Sequence, residues 1–180
     1  GKMEVEINRR VQAGARAWKK VEGVMEDRRI SRKLKGRVLN VCVTPALTYG
    51  LETLPLTKAQ VERLQVCENN WVRKLTGTKR NDRKRLKDLR DELNVEVTLK
   101  GRVARNRLRW AGHVQRMSDE RAPKQAFIRE ETGRRRRGRP SLRWKDCVEK
   151  DARKAGVRGD WKKVAMNRTE WRKVVVAGGI

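Results

Sequence analysis

The 180-residue sequence predicts an all-α fold, in which an irregular helical bundle is followed by a basic helical region with an extended arginine-rich linker. Three observations predict this fold. Apolar residues recur three or four positions apart through most of the chain, and residues that cap helices precede these runs. No segment of convincing length shows the pattern of a strand.

The first 55 residues supply the start of the bundle. Apolar positions predict a helix over 5–27. Ser31 can cap a second helix, which Pro45 bends or ends. The stretch 46–55 is apolar and irregular.

The middle of the chain continues the bundle into a charged linker. A capping box at 57–60 opens a helix that Gly77 closes. The linker 78–85 is short and charged, and a weaker helix follows over 86–93.

The last third of the chain is helical and basic. Thr98 caps a helix over about 99–117, and Pro123 starts a short helix that ends at Glu131. The arginine-rich linker 133–140 comes next. Ser141 and Asp160 then cap the last two helices.

The balance of charge predicts a polyanionic partner. The chain has 48 Lys and Arg against 22 Asp and Glu, a formal net charge of +26, which repels itself without a counter-charge. The charge divides unevenly, with 16 basic and 8 acidic residues in 1–77 but 32 and 14 in 78–180, and we place a domain boundary between these segments. Nucleic acid, either RNA or a duplex, is the expected partner.

A membrane partner is disfavoured, because the chain shows no strong example of a membrane-binding amphipathic helix, no lipidation signal and no apolar run of transmembrane length. The first residues carry no secretory signal pattern. We therefore expect a nuclear protein, or one in a cytoplasmic ribonucleoprotein.

No cofactor or metal is expected. The cysteines Cys42, Cys67 and Cys147 are far apart in sequence, and His113 is the one histidine of the chain. A zinc site would require all four residues to converge from distant helices, so we expect reduced thiols instead.

The helix over 99–117 carries a candidate binding surface, which we call the basic stripe. At about 100° per residue, one face gathers the apolar residues Leu99, Val103, Trp110, Val114 and Met117. A neighbouring face gathers the stripe itself: Arg102, Arg105, Arg109, His113 and Arg116. Such a row suits contacts to successive phosphates, and its alternative is a solvated helix face.

The arginine-rich segment 133–144 is the second candidate surface. It reads GRRRRGRPSLRW and contains Arg134, Arg135, Arg136, Arg137, Arg139 and Arg143. The letters RGRP (137–140) match the core of the AT-hook, which lies in a narrow minor groove. Generic phosphate binding and a solvated linker or localisation signal are the alternatives.

The six tryptophans lie mostly at apolar helical positions, which favours the core. Trp144 lies between Arg143 and Lys145 and is therefore the best candidate for stacking on a base.

Catalytic motifs are missing from the sequence. A chain with one histidine cannot form a two-histidine metal site or a histidine proton relay, and it contains no GxxxxGK[ST], GxSxG or paired carboxylates of DxD type. We expect no enzyme activity and no small-molecule substrate.

Three ordered motifs resemble the C-terminal part of non-LTR (LINE-type) retrotransposon polyproteins. These are RLRWAGHVQRMSDERAPKQAF (107–127), GRRRRGRPSLRWKDCVEKD (133–151) and WKKVAMNRTEWRK (161–173). Upstream, SRKLKGRVLNVCVTPALTYGLETLPL (31–56) resembles the segment that follows the polymerase active site in that family.

The resemblance implies that 1–77 corresponds to the thumb of a reverse transcriptase, a helical bundle that packs on the template–primer duplex. It implies that 78–180 is a non-catalytic region that holds RNA or DNA. The family's F/Y-x-D-D aspartates are absent from this sequence. Asn167 and Leu54 stand where the family usually has Asp and Trp.

We therefore expect nucleic-acid binding through phosphate contacts. Two alternatives remain open at this point. In the first, the chain is a fragment of an active polymerase whose palm is missing. In the second, it is a domesticated structural component that binds a ribonucleoprotein or chromatin partner.

Overall fold

The computed structural model describes residues 2–132, 137–138 and 140–179, and these residues contain helices and no strand. The all-α prediction is confirmed. The α-helices are α1 (Lys2–Lys20), α2 (Glu22–Glu26), α3 (Arg32–Val38), α4 (Thr44–Thr48), α5 (Lys58–Thr76), α6 (Leu86–Glu92), α7 (Leu99–Gln115), α8 (Ala122–Thr132), α9 (Trp144–Lys154), α10 (Trp161–Met166) and α11 (Arg168–Ala177). None of the described helices is long and apolar enough to cross a membrane.

The chain forms two compact units. Unit 1 contains Gly1–Tyr49 and Lys58–Lys100, and unit 2 contains Gly50–Thr57 and Gly101–Ile180. The units thus divide at a different place from the 77/78 boundary that charge predicts. The reason is that Leu89, Leu93 and Val95 are buried in the core of unit 1 and hold 78–100 to it.

Unit 1 has its core between α1, α3, α5 and α6. The buried side chains of this core are Trp18, Met25, Leu39, Val43, Val72, Leu75, Leu89, Leu93 and Val95. Trp71 stacks on Trp18 with ring centroids 5.8 Å apart. Helix α3 approaches the end of α6 so closely that a Cβ on Gly36 would collide with the carbonyl oxygen of Leu93.

The chain stays helical through Pro45, contrary to the prediction that this residue bends or ends the helix. A π-helical segment, Leu39–Val43, links α3 to α4. Pro45 then lies in the first turn of α4, a position that tolerates proline. The Oγ1 of Thr44 donates to the carbonyl oxygen of Leu39 at 3.1 Å and helps to close the widened turn.

A buried polar network fixes the start of α7 within unit 1. The carboxylate of Glu68, which is 0% exposed, accepts from the backbone N–H of Leu99 at 3.0 Å and from Arg90 at 3.3 Å. Gln65 donates to Glu68 at 2.7 Å and accepts from the backbone N–H of Lys100 at 3.0 Å. Helix α5 therefore supplies acceptors for the first N–H groups of α7, which have no intrahelical partner.

Unit 2 has an aromatic core between α7, α8, α9, α10 and α11. Its buried side chains are Leu108, Ala111, Val114, Phe127, Trp144, Val148, Ala152, Trp161, Ala165, Trp171 and Val175. The ring of Phe127 forms T-shaped pairs with two of these indoles, those of Trp144 at 5.7 Å and Trp161 at 6.0 Å between ring centroids.

The helix starts of unit 2 confirm one predicted cap and revise another. Asp160 accepts from the backbone N–H of Lys162 at 3.0 Å, as predicted. Helix α9 begins at Trp144, so Ser141 does not cap it. Arg143 holds the N-cap position, and its backbone N–H donates to Asp146 at 3.1 Å.

The predicted last helix is two helices, because Asn167 starts a new one. The side-chain oxygen of Asn167 accepts from the backbone N–H groups of Thr169 at 3.0 Å and Glu170 at 3.3 Å. Similarly, the predicted helix over 5–27 is divided into α1 and α2 at Val21.

Candidate nucleic-acid interface

The basic stripe, which lies on α7, divides into residues that serve the fold and residues that face solvent. Arg116 serves the fold. It is half-buried, and its guanidinium donates to the carbonyl oxygen of Ala165 at the end of α10. Burial lowers the pKa of Arg116, and the positive charge of Arg168 lowers it further. A cation at this end of a helix also complements the helix dipole.

Arg102 and Arg105 are also half-buried. The stem of Arg105 lies against the backbone that follows α11, since a Cβ on Gly179 would sit 3.1 Å from the Cδ of Arg105. Arg105 therefore has a packing contact at the C-terminal end of α11, where its charge is favourable.

Arg107, which lies outside the predicted stripe, holds α7 to α9. Its guanidinium donates to Asp151 at 2.5 Å, and Arg107 is 5% exposed. A buried arginine of this kind needs its carboxylate, because an unpaired buried charge is costly.

Gly112 allows α11 to approach α7. The indole N–H of Trp171 donates to the carbonyl oxygen of Leu108 at 2.8 Å. A Cβ on Gly112 would collide with the indole of Trp171. The glycine is therefore required for this crossing.

Arg109 and His113 remain at the surface. Both are exposed, and they lie one helical turn apart on α7. The described residues offer neither of them an ion pair, and the ring of His113 contacts that of Trp110 at 5.5 Å between centroids. Of the five predicted stripe residues, these two are the exposed ones.

Trp144 does not suit base stacking, and we withdraw it from the candidate surface. It is 9% exposed, its indole N–H donates to the carbonyl oxygen of Glu52 at 2.7 Å, and its ring forms a T-shaped pair with that of Phe127. Its neighbours Arg143 and Lys145 are half-buried. Arg143 and Lys145 flank Trp144 because α9 begins here, and the indole ring itself packs in the core of unit 2.

The arginine-rich segment lies mostly outside the described residues, and this holds for Arg134, Arg135, Arg136 and Arg139. Arg137 is described and exposed. Gly138 adopts a φ of 99°, a conformation that favours glycine.

Sequence reasoning missed a second set of exposed cations on α9 and α11. These residues are Lys150, Arg153, Lys154, Arg168 and Arg172. Within the described part of unit 2 none of them pairs with a carboxylate, whereas Lys173 pairs with Glu170 at 3.1 Å. Their spacing of three or four residues on each helix could have indicated a basic face. The acidic residues between them instead suggested intrahelical salt bridges, so the sequence analysis did not select these cations.

The described residues hold no group of three or more His, Cys, Asp or Glu that could bind a metal ion. Cys42 is exposed, Cys67 is half-buried and Cys147 is buried, and all three are free thiols. Burial raises the pKa of Cys67 and of Cys147.

The chain resembles one curated protein of transposon origin. No protein-family model and no solved structure matches it. It is 30% identical over 187 aligned positions to an uncharacterized transposon-derived protein of Caenorhabditis elegans, in an alignment that covers 94% of this chain. The chain spans 63% of the length of that relative. This similarity supports a transposon-related origin.

Proposed function

We propose that the chain binds nucleic acid, either RNA or a DNA or RNA–DNA duplex, as the non-catalytic C-terminal region of a retrotransposon-type reverse transcriptase. Unit 2 contacts the phosphate backbone, chiefly through Arg109 and His113 on α7 and through the arginine-rich segment 133–143. Its natural setting is the nucleus or a cytoplasmic ribonucleoprotein.

One observation carries the proposal. In RLRWAGHVQR (107–116), the structure accounts for most residues by packing: Arg107 pairs with Asp151, Gly112 admits Trp171, and Arg116 donates to Ala165. Arg109 and His113 are exposed one helical turn apart, and no ion pair within the described residues engages either of them, although the ring of His113 contacts that of Trp110. An exposed arginine without a carboxylate partner, beside an exposed imidazole, suits an external anion.

The charge of unit 2 supports the same proposal. It contains 24 Lys and Arg against 10 Asp and Glu, and several of the cations on α9 and α11 are exposed without a carboxylate partner in the described residues. When the cations of such a surface neutralise phosphates, the counterions condensed on the nucleic acid are released, and this release favours polyanions over neutral partners. The transposon-derived relative supports the transposon-related origin on which the proposal builds.

Fluorescence anisotropy with a labelled duplex tests the proposal. The double variant Arg109→Gln/His113→Gln should lower affinity several-fold near physiological salt and reduce the log–log salt slope by about one unit for each phosphate that is no longer neutralised. The matched control is Arg63→Gln, because Arg63 is also an exposed arginine but is already neutralised by Glu4 at 3.2 Å. That control should bind like the unmodified chain.

Equal decreases in affinity for the double variant and for Arg63→Gln would show that net charge alone drives binding. An unchanged salt slope in the double variant would remove Arg109 and His113 from the interface. Weak binding of the unmodified chain to RNA, duplex DNA and hybrid alike would instead favour a structural component that binds a protein partner.

A further inference from the structure

The connection between α5 and α6 carries a concentration of cations that the proposed function does not use. Residues 79–87 read KRNDRKRLK, with six Lys and Arg against one Asp, and we call this segment the α5–α6 basic loop. It belongs to unit 1, whereas the contacts proposed for α7 and for 133–143 belong to unit 2. All six cations of the loop are exposed: Lys79, Arg80, Arg83, Lys84, Arg85 and Lys87.

The cations of the α5–α6 basic loop have no carboxylate partner within the described residues. Several exposed cations elsewhere in unit 1 do have one, as in the pair of Lys74 with Glu26 at 3.1 Å. The carboxylate of the loop, Asp82, accepts from the backbone N–H of Lys79 at 2.8 Å and forms no ion pair with its neighbours. Adjacent cations without counter-charges repel one another, and an external polyanion relieves this repulsion.

Both ends of the loop are anchored in unit 1. Thr78 is 7% exposed, and its backbone N–H donates to the carbonyl oxygen of Arg73 at 3.0 Å. Beyond the loop, Leu89 is 0% exposed and packs in the core. A short 3₁₀ turn, Arg80–Asp82, lies between these anchors. Because the backbone is ordered before binding, the cations lose less conformational entropy when they contact a ligand.

The composition of the loop selects the class of polyanion. It contains no aromatic side chain, and its one apolar residue, Leu86, is half-buried. Protein interfaces centre on apolar or aromatic anchors, and single strands are held partly by bases that stack on aromatic rings. A surface of cations alone suits the backbone of a duplex, which carries about one charge per 1.7 Å and keeps its bases stacked inside.

We propose that the α5–α6 basic loop binds the phosphate backbone of a nucleic-acid duplex, independently of base sequence, as a second surface besides that of unit 2. This inference rests on the proposed function, because it assigns the same class of partner to another part of the chain. Each of the two surfaces then contributes its own share of the salt dependence of binding.

Charge-matched variants of the full chain test the loop. The loop variant, Arg80→Gln/Lys84→Gln/Lys87→Gln, removes three unpaired cations and leaves Arg83, whose φ is 53°, unchanged. The control variant removes three exposed cations of unit 1 that already have a carboxylate partner: Arg9→Gln/Arg29→Gln/Arg63→Gln. Both are titrated with a short blunt-ended DNA duplex, with one of its single strands and with polyglutamate of equal charge, across a salt series.

The loop variant should bind the duplex several-fold more weakly than the unmodified chain. Its log–log salt slope should be shallower by up to about three units, one for each phosphate that is no longer neutralised. The control variant should bind like the unmodified chain, and equal decreases in both variants would overturn the proposal in favour of net charge. An equal loss of affinity for polyglutamate or for the single strand would overturn the assignment to a duplex.

Acetylation of the unmodified chain by acetic anhydride provides a test without substitutions. The duplex should protect Lys84 and Lys87 of the loop. It should not protect Lys100, an exposed lysine of unit 1 that pairs with Glu62 at 4.0 Å. Equal modification of Lys84 and Lys87 with and without the duplex would remove the loop from the interface.

Comparison with Arg109→Gln/His113→Gln distinguishes failure of this inference from failure of the proposed function. The losses of affinity should multiply when the two sets of substitutions are combined. If the loop variant binds like its control while Arg109→Gln/His113→Gln binds weakly, the loop surface is wrong and the proposed function stands. If the unmodified chain does not bind the duplex, both are wrong.

Discussion

Replacing Gly112 with alanine tests how α11 is attached to α7. The added methyl group would overlap the indole of Trp171, whose N–H donates to Leu108 at 2.8 Å. The indole cannot move far, because Trp171 is 2% exposed and its ring lies 5.8 Å from that of Trp161. The collision therefore displaces Trp171 or separates the two helices.

The structure gives the expected size of the effect. Overpacking costs about 1–3 kcal/mol. Breaking the hydrogen bond of the buried indole adds about 1–3 kcal/mol. Alanine returns up to about 1 kcal/mol through its higher helix propensity. These opposing effects together give an expected net destabilisation of about 1–6 kcal/mol.

Urea unfolding followed by circular dichroism and tryptophan fluorescence measures this difference. Gly23→Ala is the matched control, because Gly23 is also helical but a Cβ there has no other atom within 4 Å. The control should be neutral or stabilised by up to about 1 kcal/mol. A Gly112→Ala variant as stable as Gly23→Ala would refute the described crossing of α7 and α11.

Three further outcomes follow from named contacts. Asn167→Ala should lower the free energy of unfolding by about 1 kcal/mol, measured by circular dichroism, whereas Asn167→Asp should keep the cap of α11. Equal destabilisation by both substitutions would contradict the capping role of Asn167. Glu68→Leu should lower the free energy of urea unfolding by about 3–5 kcal/mol, because it leaves Arg90, which is 8% exposed, without its buried carboxylate. A decrease below about 1 kcal/mol would refute the buried network. Iodoacetamide at pH 8 should modify exposed Cys42 before Cys67 and Cys147, because burial raises the pKa of these two thiols and lowers their reactive thiolate fraction. Mass spectrometry measures the order of modification. The differences in rate should become smaller at higher pH and should disappear in the unfolded chain.

Local signals in the sequence predicted the structure where the cause was itself local. Ser31 and Asp160 cap helices as predicted, because a cap depends on residues two or three positions away. Gly77 ends α5 with a φ of 66°, a conformation that favours glycine. Asn167 was missed as a cap because apolar spacing continues through it. It stands where the resembled family usually has Asp, and both residues cap well.

The side-chain roles that the sequence did not predict depend on contacts between residues that are distant in the chain. Arg116 and Arg105 looked like phosphate ligands, but the ends of α10 and α11 lie against them in the fold. Trp144 looked exposed because its neighbours are charged, although helix geometry turns its ring inward. The capping of α7 by Glu68 joins residues 31 positions apart, which no local pattern shows.

A salt series of nucleic-acid binding tests the central claim most directly. Anisotropy titrations of the chain with RNA, duplex DNA and an RNA–DNA hybrid would be repeated after Arg134–Arg137 are all changed to alanine. We predict a log–log salt slope of several units that becomes shallower by about one unit for each phosphate that the altered chain no longer neutralises. Weak binding to all three nucleic acids, unchanged by the substitutions, would contradict the account.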